Sequence, residues 1–252
     1  MPNLPIHIYL AYQLAVRLDL GYVHDYLGSC FLGSTSPDIR IMTKWPRERT
    51  HFAPLSAEVV GSGTRQMFNI HPELLDYRAL SPATRAFLIG YISHLAADEV
   101  WISTIFRCYF DKHTMIADNE VTAHIWDRAL QLDMDRKIRG ELDTLCRPSD
   151  TMVMSEQGVD LPFIRSEMLL EWRQWACQFM GWGFTWDRLK RTLSRMYRND
   201  DEVQMQVDRF ICAIPDSLAS IYDRMPEEKL AEYQLRATEE ALIQVREYWD
   251  ET

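Results

Sequence analysis

The 252-residue chain contains no apolar run that approaches a bilayer span, because each of its longest hydrophobic stretches meets His, Arg, Asp or Gln within about ten residues. No transmembrane segment is therefore expected. Its opening, Met-Pro-Asn-Leu-Pro-Ile-His, has neither the basic start nor the apolar middle and small-residue cleavage site of a secretory leader, so a cytoplasmic location is expected. Cysteine is sparse: Cys30, Cys108, Cys146, Cys177 and Cys212 are odd in number, stand singly and form no Cys-x-x-Cys pair. That pattern fits neither a disulfide framework nor a thiolate zinc site. Basic charge is outweighed, with 27 Lys and Arg against 37 Asp and Glu and a formal net charge of -10. Nucleic acid or an anionic lipid surface is thus disfavoured as the main partner. A small anionic substrate stays compatible if a metal supplies local positive charge. No stretch alternates apolar and polar residues between turn signals, so no strand is expected.

The chain is otherwise 47% hydrophobic and 12% aromatic, enough for a large core. Helical periodicity runs through it. Apolar residues recur at three and four from Pro5 to Leu20, a shorter segment follows from Tyr22 to Leu32, and Pro72 is expected to open a short helix reaching Arg78. Ser81-Pro82 is a start signal for a long helix expected to end near Phe110. Asp118 is expected to cap the next helix, Asn119 to about Ile138. Others are expected at Phe163–Phe179, Thr185–Tyr197, Glu202–Cys212 and Pro226–Trp249, with a loop from Pro148 to Gly158. The expected architecture is all-α, one domain over residues 1–252, a multi-helix bundle around the long central helix. Residues 1–140 would carry the metal-binding half, and 141–252 would pack against it or cover it.

One polar pair interrupts the central helix. His94 and Asp98 lie in the apolar stretch Phe87-Leu88-Ile89-Gly90-Tyr91-Ile92-Ser93-His94-Leu95-Ala96-Ala97-Asp98, one turn apart and so on one face. Burying an imidazole and a carboxylate together is costly unless they bond each other or share a cation. For an isolated His-x-x-x-Asp the first outcome is the ordinary one; further ligands shift the reading toward a metal. Such ligands are present: His7 in the first helical turn, Asp38 after the turn-forming Gly33-Ser34-Thr35-Ser36-Pro37, His51 beyond the basic Arg40, Arg47 and Arg49, and His124 in the following helix. Each also has a plainer role, Asp38 as a cap, His51 as a cap or surface residue, His124 as a helix-surface histidine. A mixed His and Asp set suits zinc first, with iron or manganese next. Arg47, Arg49 or Arg40 could grip a phosphate or carboxylate with two parallel hydrogen bonds.

Taken in order, His7, then Ser36-Pro37-Asp38, then His51-Phe52, then the helix of His94 and Asp98, the first half of the chain resembles the zinc-dependent phospholipase C family, whose fold is shared with the single-strand-specific zinc nucleases. The resemblance implies an all-α fold holding a cluster of three metals, two of them close together and bridged. It implies Asp38, His51, His94 and Asp98 as ligands of one metal. Asp98 would also reach a second, which uses His7 and the amino terminus of a processed chain, here the Pro2 amine if Met1 is removed. It implies too that Asp38 contacts the attacking water, and so acts as general base as well as ligand. The third metal is not matched: Thr104 stands where the family has a histidine, and His124 is followed at the family's spacing by Arg128, with Asp127 one residue short and Glu120 one turn behind. The implied function is a metal-dependent hydrolase cleaving a phosphoester of a small or lipid-like substrate through metal-activated water. With the third site altered, two other functions stay open: a different metal chemistry, such as a lyase, a cyclase or an iron-dependent oxidation, and a non-catalytic helical scaffold.

In the second half, Trp172, Trp175, Phe179, Trp182, Phe184 and Trp186 form an aromatic run. Core packing at helical spacing is its plainest cause, while Gly181 and Gly183 leave a mobile lid conceivable. The acidic residues of the last helix, interleaved with Lys229 and Arg236, read as a solvated face, and an apolar helix face could support a homodimer.

Overall fold

Ser81 and Pro82 start the principal helix as their chemistry dictates. The Ser81 hydroxyl accepts the Thr84 amide at 3.0 Å, and Pro82 fills a first-turn position where a missing N–H is no loss. The computed structural model describes residues 3–198 and 200–249, and no strand occurs among the described residues, so the chain is all-α. In chain order the helices are α1 (Leu4–Leu18), α2 (Gly21–Asp25), α3 (Leu27–Thr35), α4 (Arg40–Thr43), α5 (Glu48–His51), α6 (Ser62–Ile70), α7 (Pro82–Val100) and α8 (Arg107–Tyr109). The second half adds α9 (Glu120–Leu145), α10 (Pro148–Thr151), α11 (Ser166–Gly181), α12 (Asp187–Met196), α13 (Asp201–Cys212), α14 (Asp216–Tyr222) and α15 (Glu228–Trp249). Short 3-10 turns lie at Ser36–Ile39 and Pro72–Leu75, and a π turn at Trp101–Phe106 joins α7 to α8. Among the described residues no helix is long and apolar enough to cross a membrane.

Helix α7 is hydrophobic on every side, and from Ala86 to Ile102 each residue is buried. A helix of that kind belongs in the middle of a core. Its neighbours are α1, α2, α3, α6 and α15. Each large side chain so buried contributes roughly 1.5–3 kcal/mol, so packing rather than propensity fixes the rotation of α7 and with it the direction of His94 and Asp98.

Helices α3 and α7 cross with their main chains nearly touching. A Cβ on Gly33 would lie 1.9 Å from the Phe87 carbonyl oxygen, and one on Gly90 would lie 1.8 Å from that of Cys30. No side chain fits at either position. The approach brings the Ser34 carbonyl to the face of α7 that carries His94.

Several boundaries differ from the sequence reading, each for a local reason. Helix α9 is capped by Asn119, whose Oδ1 accepts the Thr122 amide at 2.9 Å, and not by Asp118. It runs beyond Ile138 to Leu145, since buried Leu142 anchors it past Gly140. Helix α1 stops at Leu18, where Asp19 turns left-handed at φ 49°. Helix α6 begins at Gly61-Ser62-Gly63, a glycine-rich stretch that reads as a break in the helical pattern: Gly61 adopts φ 92°, and buried Glu99 of α7 accepts the amides of Gly61 and Gly63. Its start therefore depends on a residue 36 positions or more away. Pro72 opens a 3-10 turn instead of a helix to Arg78, while α10 and α14 occupy segments with no expected helix.

Candidate metal centre

Five side chains of the first half converge. His7 comes from the first turn of α1, Asp38 from the 3-10 turn after α3, His51 from the last residue of α5, and His94 and Asp98 from α7. The turn bearing Asp38 is set by Pro37 and by the Ser36 hydroxyl, which donates to the Leu32 carbonyl at 2.7 Å. His51 Nε2 lies 3.1 Å from Asp98 Oδ2, 3.3 Å from His94 Nε2 and 3.9 Å from Asp38 Oδ1. His94 Nε2 is 3.8 Å from Asp98 Oδ2. His7 stacks on His94 with ring centroids 3.7 Å apart, and its Nε2 stands 3.6 Å from Asp98 Oδ1. The two carboxylate oxygens of Asp98 thus face different imidazoles, Oδ2 toward His51 and Oδ1 toward His7.

Ring orientations follow from contacts on the outer edges. His94 Nδ1 is 2.7 Å from the Ser34 carbonyl oxygen. A carbonyl only accepts, so Nδ1 carries a proton and Nε2 is the nitrogen turned toward the cluster. His51 Nδ1 meets the Thr50 hydroxyl at 3.1 Å, which leaves its Nε2 facing inward. The Thr50 carbonyl is itself held by the Tyr91 hydroxyl of α7. Outer-edge bonding of this kind is how ligating imidazoles are commonly fixed.

Burial sets the charges. It lowers the pKa of His7 well below the ordinary value, and neighbouring His94 adds to the effect. It lowers that of His51 as well, against the opposing pull of Asp98. Neutral imidazoles keep the lone pairs that a metal needs. For Asp98 burial works toward the neutral form, but Arg47, together with His51 and His94, holds the carboxyl well below the usual range. Both ring nitrogens of His7 and Oδ1 of Asp98 have no hydrogen-bonding partner, although all are buried. Orphaned buried polar atoms are uncommon and costly. Ligand atoms held about 2.0–2.2 Å from a tetrahedral ion lie roughly 3.3–3.6 Å from one another, close to the separations found here. The residues present therefore fit a divalent cation.

The remaining sequence candidates fall elsewhere. Arg47 is buried, and its Nη2 bonds Asp98 Oδ2 at 3.0 Å, so it serves a ligand where substrate binding was expected. Arg49 stacks on Trp45 at 3.6 Å from the ring centroid and lines a cavity with Phe52 and His71. Arg40 Nε reaches the Trp45 carbonyl at 3.5 Å. His124 stands apart from the five: its Nδ1 bonds the Tyr197 hydroxyl at 2.6 Å, and its ring lies parallel to Phe106. Asp127, its neighbour by one turn, accepts from Trp101 Nε1 and Gln131 Nε2. The Thr104 hydroxyl donates to the Val100 carbonyl at 2.7 Å. Pro2 and its amine lie outside the described residues.

Asp38 also opens onto a cavity of about 200 Å³ lined by α11 and α12, including Trp175, Phe179, Arg188 and Arg191, and on its other sides by Leu4 of α1, Ile41 of α4 and Leu132 and Asp135 of α9. Helical spacing alone assigns that aromatic run to the core. For Trp172 this holds, since it is fully buried and donates through Nε1 to the Thr35 hydroxyl at 3.0 Å. Trp175 and Phe179 line the cavity instead. The available signal was the spacing of Arg188, Arg191 and Arg195, which places three guanidinium groups on one face of α12. No family model, curated protein or solved structure matches this chain, so the centre is read from its own geometry.

Proposed function

We propose that the chain is a metal-dependent hydrolase cleaving a phosphoester of a small or lipid-like substrate. The observation that supports this reading is the buried cluster of His7, Asp38, His51, His94 and Asp98, with neighbouring ligand atoms 3.1 to 3.9 Å apart and three polar atoms left without a hydrogen bond. His51, His94, Asp38 and Asp98 would hold one ion, and His7 with the second oxygen of Asp98 offers a place for another. A divalent ion there, zinc by the donor set, supplies positive charge that acidifies water and polarises a phosphoryl oxygen.

The protein's own groups divide the rest of the work. Asp38, the one member of the cluster whose side chain is not fully buried at 17% exposure, is placed to take a proton from water entering by the adjoining cavity. The Ser34 carbonyl and Thr50 hydroxyl hold the imidazoles in position, and Arg47 offsets the charge of Asp98. The test is turnover of a panel of phosphate mono- and diesters by protein loaded with zinc, manganese or iron. Hydrolysis should vanish with chelation, and Asp38→Asn should lower kcat by roughly 10²–10⁴ at equal metal content. Absence of turnover with every metal would overturn the reading.

Two imidazoles with a carboxylate also suit iron, which favours a second reading, a lyase, cyclase or oxidation dependent on that metal. Iron retained by the purified protein with no phosphoesterase activity selects it. Protein that holds no metal under any loading leaves a helical scaffold.

A further inference from the structure

We propose that the cavity floored by Asp38 is the substrate pocket of this centre, and that it takes an organic phosphate with an apolar body, an aryl or short alkyl phosphate monoester, while rejecting cationic groups. This rests on the hydrolase reading for the role of Asp38 and adds to it the chemical class of the ligand.

The positive wall is built from one helix face. Arg188, Arg191 and Arg195 recur at the spacing of successive turns on α12, and all three line the cavity. Arg188 is 9% exposed, with Nη2 bonded to the carbonyls of Trp182 at 3.3 Å and Gly183 at 3.0 Å, and its guanidinium lies over the Phe179 ring at 4.5 Å. Those contacts fix the group yet leave Nη1 buried with no hydrogen-bonding partner. A rigid guanidinium with an unused buried N–H is a ready anion contact. Two acids share the space. Asp38 belongs to the metal cluster, and the Asp135 carboxyl, pushed up to about 7 by burial, is bonded through Oδ2 to Asn3. The balance is positive, in a chain whose formal charge is -10.

The apolar wall is aromatic. Trp175 and Phe179, one turn apart on α11, stack with centroids 5.3 Å apart, and Trp182 lies beyond them at 45% exposure. Flat rings beside guanidinium groups suit a ligand with an apolar body and an anionic end. A volume of about 200 Å³ is room for roughly seven waters at about 30 Å³ each, enough for a one-ring ester. The cavities bearing Arg49 and His124 are larger, but none of the five cluster residues lines either.

Phenylphosphonate, which cannot be hydrolysed, is the probe, with tryptophan quenching and calorimetry as readouts on zinc-loaded and metal-stripped protein. Wild-type protein should bind it in both forms, more tightly with zinc, and should not bind phenyltrimethylammonium. Arg188→Gln and the double variant Arg191→Gln with Arg195→Gln should each weaken binding at least tenfold. The double variant changes only exposed residues, so it remains informative if Arg188→Gln fails to fold. Wild-type protein that does not bind phenylphosphonate, unchanged affinity in the double variant, or equal affinity for the cation overturns the proposal. Arginine-dependent binding without phosphoester turnover would sink the hydrolase reading alone. Turnover of aryl phosphates untouched by the arginine changes would sink the pocket alone.

Discussion

Arg47 Nη2 bonds Asp98 Oδ2 at 3.0 Å, with both side chains buried. A buried charge stripped of its partner destabilises a fold by roughly 3–5 kcal/mol. Arg47→Met should therefore lower the stability of metal-free protein by about that amount, and zinc should recover much of the loss, since the ion supplies the positive charge that Asp98 then lacks. Urea unfolding with and without zinc checks this; equal destabilisation in both conditions would show that Arg47 does not act through Asp98.

His51→Ala, His94→Ala and Asp98→Ala should each abolish stoichiometric metal retention in equilibrium dialysis followed by elemental analysis. Thr50→Val removes only the hydroxyl that meets His51 Nδ1 at 3.1 Å. Loss of such an outer contact weakens metal affinity by roughly 10- to 100-fold. Affinity unchanged in Thr50→Val would mean that His51 is not oriented from that side.

Gly90→Ala and Gly33→Ala each place a methyl against a main-chain oxygen of the other helix, at 1.8 and 1.9 Å. Neither oxygen can swing aside as a side-chain tip does. Overpacking of this kind costs roughly 1–3 kcal/mol and often more, so both variants should unfold at markedly lower urea. An alanine at Gly181, where an added Cβ meets nothing within 4 Å, is the control and should leave the midpoint nearly unchanged.

Asp135 gives a pH signature. Its carboxyl is pushed from 3.8 up to about 7, chiefly by burial. Between those values the folded protein holds a proton that the unfolded chain has shed. The associated stability is fully present below about 4 and is lost as pH rises through about 7, with a slope of roughly 1.4 kcal/mol per pH unit between them. The difference in unfolding free energy between wild type and Asp135→Asn should follow that slope in metal-free protein. A difference that does not change with pH would show that the carboxyl titrates normally.

The central helix and two of the five converging ligands were legible because their determinants are local: Ser81-Pro82 starts the helix, and a four-residue spacing puts His94 and Asp98 on one face. His7, Asp38 and His51 were legible only as a set in order. What escaped depends on distant partners. Arg47 in the sequence is a basic residue on a loop, and only the fold shows that it meets Asp98, 51 positions away. Gly61-Ser62-Gly63 reads as a break until Glu99 supplies the acceptors that start α6. Trp175 and Trp172 share the same helical spacing, so nothing local told the cavity wall from the core.

The acceptor that steers His94 is a main-chain oxygen, that of Ser34. Every amino acid offers the same atom there, so the imidazole's anchor does not draw on the Ser34 hydroxyl, which donates to the Phe31 carbonyl instead. The vulnerable positions are instead Gly33 and Gly90, which contribute no side-chain atoms of their own. Anyone transplanting this centre into another scaffold would have to carry over the close crossing of two helices along with its five donor residues.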